Sequence, residues 1–396
     1  MTRMNDPRSL ALLLAATLTV MANATISPAL PMLADQFADN PHSDDLTRLL
    51  VTAPSLMVAL AAPFAGLGVD RMGRRRTLLA GVVLYSLAGT AGLYLPTLEW
   101  LLISRLALGV GVALVMTAQS ALIGDYFTGE ARGRFMGYQA AATNFSGFAF
   151  LAIAGIVASA SARYPFAIYG IALLYLPFIV RAVSEPNAAS APEDHGVEAA
   201  SSWIYQLAVL CGLAFMTMVT FYVMPTQFPF YLRQSGQASP ATAGFLLGLL
   251  TLAGGFAALA FGRVRAALGQ AATPALGSVL MAAGFFVLWG ATGRFGFAVG
   301  AALIGSGFAF IIPAVVAWTL DIAPMRRRGL ASGCATTAIF LGQFVSPLFS
   351  QRIIDQWDFR SLFLGSVILL TAQAGLLAAL SFRSKKRLRA NEWGLK

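Results

Sequence analysis

Charged side chains are scarce in this chain of 396 residues, because Asp, Glu, Lys and Arg together make up only 11% of it. A soluble domain usually has about 25%. The two cysteines, Cys211 and Cys334, and the two histidines, His42 and His195, give neither a disulfide framework nor a metal site. The sequence also contains no Walker-type phosphate loop and no nucleophile–base pair. We therefore predict a protein that is not an enzyme and binds no cofactor.

Long apolar runs recur along the whole chain, most of them 18–24 residues long and separated by short polar breaks. About 20 apolar residues in a helix span a bilayer, and an open backbone cannot lie in lipid. The pattern predicts an all-α polytopic membrane protein with twelve transmembrane helices. They cover roughly residues 9–33, 47–68, 77–96, 100–123, 134–158, 164–183, 204–226, 240–262, 272–291, 296–318, 330–350 and 361–382.

The net charge of +10 is explained by where the basic residues lie. With the N-terminus inside, 20 of the 27 basic residues fall in inner loops or at the termini. The positive-inside rule then places both termini in the cytoplasm and the chain in the inner membrane. We predict contact of the basic tail with membrane lipid and no binding of nucleic acid. The outer loops hold Arg48, Arg163, Arg233, Arg294, Arg352 and Arg360, which leaves Arg105.

An internal repeat with an offset of 196 residues divides the chain into two halves. Six-span repeats are typical of transporters that bind substrate between two pseudo-symmetric bundles. We predict an N-terminal bundle at 1–183, a cytoplasmic linker at 184–203, a C-terminal bundle at 204–384 and a basic tail at 385–396. The matched pairs are Asp125 and Asp321, Arg132 and Arg328, Gly133 and Gly329, Gly137 and Gly333, Gly109 and Gly305, Gly111 and Gly307, Gly66 and Gly262, and Gly73 and Gly269.

Arg105 lies inside the apolar run "LLISRLALGVGVALV", residues 101–115. A charge at the centre of a bilayer costs about 2.5–3.5 kcal/mol on insertion scales. The repeat places Ala301 at the corresponding position, so the shared scaffold does not need the arginine. We therefore expect Arg105 to face the central pathway. The alternative is a structural arginine that binds helix-end carbonyls or extends outward to the interface.

Two segments carry a resemblance to a known family. "GLGVDRMGRRR", residues 66–76, resembles the loop between the second and third helices of major facilitator superfamily transporters, and "RLALGVGVA", residues 105–113, resembles their fourth-helix motif. With the twelve spans and the repeat, the resemblance covers nearly the whole chain and points to the bacterial 12-helix drug or metabolite efflux branch. It implies two six-helix bundles that rock about a central cavity.

Two features depart from the pattern of the drug-exporting relatives. Leu108 stands where many of them have glutamine. The fifth span, "GYQAAATNFSGFAFLAIAG", lacks the Gly-Pro motif that drug–proton antiporters of the superfamily usually carry.

The resemblance also implies a gate on the cytoplasmic side. Asp70 would meet the start of the eleventh helix, where its charge suits the helix dipole, and Arg74 would pair with Asp70 and Asp125. Independently, Gly66 and Gly73 predict a close helix approach and a tight turn. The predicted gating residues are Gly66, Asp70, Arg71, Gly73, Arg74, Asp125 and Arg132.

No carboxylate falls at the middle of a predicted span, so proton coupling would use Asp35 outside or Asp70 and Asp125 inside. Helical spacing predicts a broad, mostly apolar cavity with amides, hydroxyls and one positive charge. The predicted substrate-binding residues are Arg105, Asn23, Ser27, Met116, Gln119, Thr143, Asn144, Thr220, Phe221 and Gln343.

Three functions fit these observations. The first is a monomeric secondary transporter that exports a small organic or amphipathic solute in exchange for protons. The second is an importer or facilitator of a small organic solute, including an anion held by Arg105. The third is a membrane protein that binds a ligand or lipid without transporting it, such as a sensor.

Overall fold

The computed structural model describes residues 6–185, 202–324 and 327–393, with side chains throughout except at 63, 70, 130, 202 and 382–393. These residues are overwhelmingly helical. Twelve helical segments are long and apolar enough to cross a membrane, in agreement with the predicted count. They are Pro7–Gln36, Ser43–Ala62, Arg74–Leu93, Leu98–Tyr126, Ala131–Ala158, Tyr164–Ala182, Trp203–Gln234, Pro240–Leu268, Ala272–Gly290, Arg294–Ile322, Arg328–Gln356 and Phe359–Ser381.

Among the described residues, each half has seven α-helices, because the first span of each half is built from two. The first half contains α1 (Pro7–Ala24), α2 (Leu30–Gln36), α3 (Ser43–Met72), α4 (Arg74–Thr90), α5 (Leu98–Tyr126), α6 (Gly129–Ala158) and α7 (Ile171–Ala182). The second half contains α8 (Ser202–Phe221), α9 (Val223–Gln234), α10 (Pro240–Leu268), α11 (Ala272–Gly290), α12 (Arg294–Ile322), α13 (Arg328–Gln356) and α14 (Phe359–Trp393).

The 196-residue repeat is visible in the helix boundaries. Helix α5 shifted by 196 residues coincides with α12 at both ends. The turns after α3 and α10 also match, because Gly73 and Gly269 adopt the same left-handed backbone, with φ of 89° and 90°. Glycine is the residue that adopts this positive-φ backbone conformation without strain. The two halves are therefore versions of one architecture.

The first span of each half is interrupted near its middle by proline. Helix α1 ends at Ala24, and a short 3-10 segment follows at Ser27–Ala29, while α8 ends at Phe221. These ends lie four residues before Pro28 and Pro225. Proline has no N–H to donate to the carbonyl four residues earlier, and its ring crowds that carbonyl. The prolines thus redirect both helices at the level of the predicted substrate pathway.

The helices alternate between two faces of the bundle. We call the face that carries Arg71, Arg74, Arg75, Arg132 and Arg265 the basic face, and the opposite one the far face. Helices α1, α6, α8 and α13 run from the basic face to the far face, and α3, α5, α10 and α12 run back.

The two halves meet along two seams, which the repeat relates to each other. In the first, which we call the dry seam, α6 packs on α10. A Cβ added to Gly155 would lie 2.6 Å from the carbonyl oxygen of Pro240, and one added to Gly244 would lie 2.4 Å from that of Leu151. The backbones touch there because neither glycine has a side chain.

The second, which we call the polar seam, lies between α3 and α13 and includes α9. Here Arg48 is 4% exposed and donates from Nε to Oε1 of Gln227, 2.8 Å away. Gln227 in turn donates to Ser350 at 2.9 Å and to Gln351 at 3.3 Å. Side chains rather than bare backbone therefore join the halves at this seam.

The predicted division at 183 and 204 stays a prediction. Most of the linker, residues 186–201, lies outside the described residues, as does the end of the tail at 394–396. Helix α14 itself continues to Trp393, beyond the end of its membrane span at Ser381.

Candidate functional site

A cavity of about 230 Å³ lies between the two halves at the midpoints of the long helices. Val112 marks its level on α5 and Phe308 on α12, each the central residue of its helix. The lining is Thr19, Val20, Asn23, Ala24, Val112, Met116, Asn144, Leu151, Phe221, Tyr222, Pro225, Leu247, Leu250, Thr251, Gly254, Gly305, Phe308, Phe340 and Gln343.

The walls of this cavity are mostly apolar and carry no charged side chain among the described residues. The rings of Phe221 and Phe308 stack with their centroids 3.9 Å apart. The side chains of Met116 and Phe340 add further polarisable apolar surface to the cavity wall. Such walls bind through apolar contact area, and a few polar groups fix the orientation of the ligand.

Four hydrogen-bonded polar side chains form a cluster at the cavity where the two halves meet, and we call this cluster the roof. Asn23 donates from Nδ2 to Tyr222 Oη at 3.0 Å, to Ser55 Oγ at 3.1 Å and to Gln343 Oε1 at 3.2 Å. Ser55 also donates to Gln343 Oε1 at 2.7 Å. These four residues come from α1, α3, α13 and the α8–α9 break, so the roof joins the two halves.

Further contacts between the halves lie beyond the roof, toward the far face. The guanidinium of Arg48 stacks 3.9 Å above the Phe230 ring and bonds to Gln227. Arg233 Nη1 lies 2.9 Å from each carboxylate oxygen of Asp35 and 3.2 Å from the carbonyl of Pro31. The far-face side of the cavity is therefore closed by several layers of cross-half contacts.

The basic-face side lacks close packing at the corresponding glycines. Gly137 on α6, Gly262 on α10 and Gly333 on α13 would meet no atom within 4 Å if they carried a Cβ. This contrasts with Gly155 and Gly244, which touch backbone at the far face. The two halves are thus in tight contact on the far side and spread apart toward the basic face.

Ion pairs brace each half at the basic face. Arg74 Nε lies 2.6 Å from Asp125 Oδ2, which is the pair that the family resemblance implied. The repeat places Gln270 and Asp321 at the corresponding positions, and Gln270 donates to Asp321 at 3.0 Å. Arg265 adds an ion pair with Asp321 at 3.0 Å. The repeated position is therefore used in both halves, with an amide instead of the guanidinium in the second.

The end of the first half is also anchored to this loop. The carboxylate of Glu185 accepts hydrogen bonds from the backbone N–H groups of Arg74 at 2.6 Å and Arg75 at 2.9 Å. It therefore caps the N-terminus of α4, where a negative charge is stabilised. Tyr126 donates to the carbonyl of Ser184 next to it.

The other predicted gating residues have different surroundings. Arg71 and Arg132 are exposed. The close helix approach predicted at Gly66 is wrong for this conformation, because no atom lies within 4 Å of the place its Cβ would take. The side chain of Asp70 lies outside the described residues, so its contact with the eleventh span stays a prediction.

The prediction that Arg105 faces the central pathway is wrong for this structure. Arg105 is 0% exposed and lies inside the first half, with its guanidinium 4.8 Å from the Phe166 ring centroid and 4.5 Å from that of Tyr169. It is seven residues, or roughly 10 Å, farther toward the far face than Val112. Its side chain therefore packs among helices of the first half and is not part of the cavity lining.

Half of the predicted substrate-binding residues lie in the cavity lining, namely Asn23, Met116, Asn144, Phe221 and Gln343. Besides Arg105, four others do not. Gln119 is 2% exposed and donates to the carbonyl of Leu12, which fixes α5 on α1. Ser27 is fully buried above the roof.

Thr143 and Thr220 miss the cavity because of their rotation about the helix axis. Thr143 is half-buried and lies one residue away from Asn144, which faces inward. Thr220 bonds to its own helix at Met216 and lines a separate apolar groove with Phe349.

Tyr222 and Phe308 belong to the site but were not predicted. Tyr222 occupies the break between α8 and α9, so the face it presents does not follow helical periodicity from Phe221. Phe308 lies one turn beyond Gly305 on α12. The signal for Tyr222 was available, since it precedes Pro225 by three residues in an otherwise regular apolar run.

Comparison with known proteins agrees with this architecture. The family model of the Major Facilitator Superfamily matches residues 12–233 and 209–395. Quinolone resistance protein NorA of Staphylococcus aureus is 25% identical over 319 residues, covering 78% of this chain and 80% of NorA. Multidrug resistance protein 1 of Bacillus subtilis is 23% identical over 322 residues, covering 77% and 81%.

A solved structure shows the same fold. The crystal structure of a D-xylose-proton symporter superposes with a TM-score of 0.76 at 18% identity, covering 94% of this chain and 96% of the symporter. At this identity the likeness concerns the fold alone. The family match, which spans nearly the whole chain, is the stronger finding. The chain therefore belongs to the Major Facilitator Superfamily and is a membrane transporter rather than an enzyme.

Proposed function

We propose that this transporter exports small organic or amphipathic compounds from the cytoplasm by alternating access, driven by proton entry. The observation that carries the proposal is the central cavity between the halves, which is mostly apolar and uncharged among its described residues. It suits solutes that partition out of water. The drug-resistance relatives support export, since their names describe resistance to quinolones and other drugs.

The proposal assigns the basic face to the cytoplasm, in keeping with the positive-inside rule. The spread of the halves at Gly137, Gly262 and Gly333 then gives the cavity access to the cytoplasm. The contacts at Arg48 and Asp35 close it toward the outside. The conformation is thus the one that loads a solute from the cytoplasm or from the inner leaflet.

The Arg74–Asp125 pair and its counterpart at Asp321 are proposed to guide closure of the cytoplasmic side. Each pair lies within a single half, one in the first and the other in the second. Each pair therefore stiffens the helix ends that must meet when the cavity opens outward. Gly73 and Arg74 hold the start of α4 beneath the Glu185 cap. Asp70, Arg71 and Arg132 complete the proposed gate.

Proton coupling is assigned to carboxylates at the two ends of the pathway. Asp35 lies on the far face in an ion pair that joins the halves. Asp125 lies on the basic face in a pair within the first half. Protonation of either carboxylate removes its charge and weakens its ion pair. Proton binding at each end of the pathway therefore weakens a contact that must break for that side to open.

The burial of Arg105 removes the support for an importer of anions, because the guanidinium has no contact with the cavity. A sensor without transport is disfavoured by the two braced ends and by the roof that joins the halves. A monomer and contacts with lipid remain predictions.

The test is transport in proteoliposomes with the purified full chain and a fluorescent quinolone as the probe. We expect counterflow without a pH gradient and accumulation against a quinolone gradient when an opposing pH gradient is imposed. Asp35→Asn and Asp125→Asn are expected to keep counterflow and lose the response to pH. Asp39→Asn is the matched control, because Asp39 is an exposed carboxylate near Asp35. Counterflow that is absent, or accumulation that ignores the pH gradient, would contradict the proposal.

A further inference from the structure

The hydrogen bonds of Asn23 are unusual in number. Its amide nitrogen has two hydrogens, yet Tyr222, Ser55 and Gln343 all present acceptor oxygens within 3.2 Å of it. Two N–H groups therefore serve three acceptors from three different spans. An additional acceptor at this nitrogen must displace one of them.

The amide oxygen of Asn23 has spare capacity. Asn23 is half-buried and lines the cavity. None of the hydrogen bonds found among the described residues uses its Oδ1. The side chain thus offers the cavity an unused acceptor beside a donor that is already shared.

The space below the roof is shaped by aromatic rings. Phe221 and Phe308 stack at 3.9 Å, and the plane of Phe221 meets that of Tyr222 nearly edge-on at 6.0 Å. Flat aromatic ligands make favourable offset or edge contacts with such rings. No described side chain in the lining carries a charge that would attract a cation or an anion.

We propose that the roof is a recognition site for uncharged aromatic compounds that carry a hydrogen-bond donor next to an acceptor, as in a lactam or secondary amide. The donor binds Asn23 Oδ1, the acceptor takes an N–H of Asn23 Nδ2, and the ring packs against Phe221 and Phe308. This inference rests on the proposed transport function and names the substrate class of its cavity.

Ligand binding at this site has a consequence for the conformation. Tyr222 and Gln343 belong to the second half, whereas Asn23 and Ser55 belong to the first. When the ligand acceptor takes one N–H of Asn23, a single N–H remains for Ser55, Tyr222 and Gln343, so the two bonds to the second half cannot both be kept at full strength. We call Asn23 a latch, because it holds the two halves together until the substrate takes one of its hydrogen bonds. Once the cavity is filled, the halves therefore separate more readily at the far face.

The experiment compares 2-quinolinone, which has adjacent N–H and C=O groups, with N-methyl-2-quinolinone, which lacks the donor. Binding to the purified full chain is measured by calorimetry. One or two hydrogen bonds to an uncharged group predict about fivefold to tenfold tighter binding of 2-quinolinone. Asn23→Ala is expected to abolish this preference. Asn40→Ala is expected to keep it, because Asn40 lies outside the cavity and its Nδ2 bonds to Glu99 at the far face.

A second readout tests the latch. Cys211 and Cys334 are replaced by alanine, and Thr226→Cys, which is fully buried just beyond the roof, is labelled by a membrane-impermeant thiol reagent from the far face. We expect 2-quinolinone to raise the labelling rate. N-methyl-2-quinolinone keeps the C=O acceptor, so we expect it to raise the rate only at about fivefold to tenfold higher concentration. Naphthalene, which has neither group, is expected to leave the rate unchanged.

Three outcomes overturn the inference. The first is that both compounds bind equally tightly or that neither binds. The second is a preference for 2-quinolinone that remains in Asn23→Ala. The third is a labelling rate that 2-quinolinone does not change. None of them contradicts the proposed function if pH-driven transport of the quinolone is observed in proteoliposomes. Loss of that transport together with selective binding of 2-quinolinone would contradict export and leave the recognition site standing.

Discussion

The dry seam and the polar seam occupy equivalent places in the repeat but are built from opposite kinds of residue. The 196-residue offset relates Gly155 to Gln351 and Gly244 to Arg48. At the dry seam the two glycines bring the backbones of α6 and α10 into contact. At the polar seam Arg48 and Gln351 both bond to Gln227, which lies between them.

This difference teaches that the two halves need not separate equally along both seams. A contact between backbones without side chains is rigid, since close packing leaves no alternative arrangement of lower energy. Hydrogen bonds between polar side chains are readily exchanged for bonds to water, so their net contribution is small. We therefore expect the dry seam to act as the hinge and the polar seam to open when the far face is exposed.

The largest expected effect is at the hinge. Gly244→Ala places a Cβ where the carbonyl of Leu151 lies only 2.4 Å away, and backbone cannot yield as a side chain can. Overpacking of this kind destabilises by about 1–3 kcal/mol. We expect a lower unfolding temperature in detergent and slower transport.

Gly262→Ala is the control for that change, because it lies on the same helix and would meet no atom within 4 Å. It is expected to unfold at the same temperature as the unmodified chain or at a higher one, since alanine stabilises a helix interior by up to about 1 kcal/mol. Equal destabilisation by the two substitutions would remove the argument that contact at Gly244 matters.

The next effect is expected at the polar seam, where the substitution changes the opening of the far face rather than the unfolding temperature. Arg48→Ala removes the bond to Gln227 and the stacking on Phe230. A hydrogen bond from a charged group contributes about 1.5–3 kcal/mol. Labelling of Thr226→Cys from the far face should therefore accelerate by roughly tenfold or more.

Arg163→Ala is the matched control for Arg48→Ala. Arg163 is also a far-face arginine, but it bonds to the carbonyls of Gly92 and Leu95 within its own half. Its loss is expected to leave the labelling rate unchanged. Faster labelling in both variants would show that any damage to the far face, rather than the seam, exposes Thr226.

The smallest effect is expected from Asp35→Asn. Asp35 and Arg233 pair across the halves, but their side chains are 61% and 46% exposed. Exposed ion pairs contribute about 0–1 kcal/mol and are screened by salt. Labelling of Thr226→Cys should rise by less than about fivefold, and the rise should disappear at high salt. A change as large as that of Arg48→Ala would place the main closure at Asp35 instead.

The span boundaries could be predicted because twenty apolar residues in a row leave few alternatives in a membrane. The fourth span was predicted at 100–123 and is found at Leu98–Tyr126. The repeat could also be predicted, since glycines and a few charged residues must recur wherever turns and close contacts recur. The paired turns at Gly73 and Gly269 are an example.

The rotation of each helix could not be predicted in the same way. Arg105, Val112, Met116 and Gln119 share one face by spacing alone, yet only Val112 and Met116 reach the cavity. The face that a helix turns to the cavity changes along its length, because neighbouring helices of the same half cover its two ends, as Phe166 and Tyr169 cover Arg105 and Leu12 covers Gln119. That closure depends on packing between distant segments, which a single sequence does not reveal.

The most direct test of the account measures the opening of both seams in one protein. In a background without Cys211 and Cys334, spin labels are placed at the exposed positions Asp45 and Arg352 across the polar seam, and at Ser159 and Ser239 across the dry seam. Distances are recorded by pulsed electron paramagnetic resonance in Arg48→Ala and in the chain without that substitution. The account predicts that the Asp45–Arg352 distance lengthens in Arg48→Ala while the Ser159–Ser239 distance stays nearly constant. Equal lengthening of both distances, or lengthening at the dry seam alone, would contradict it.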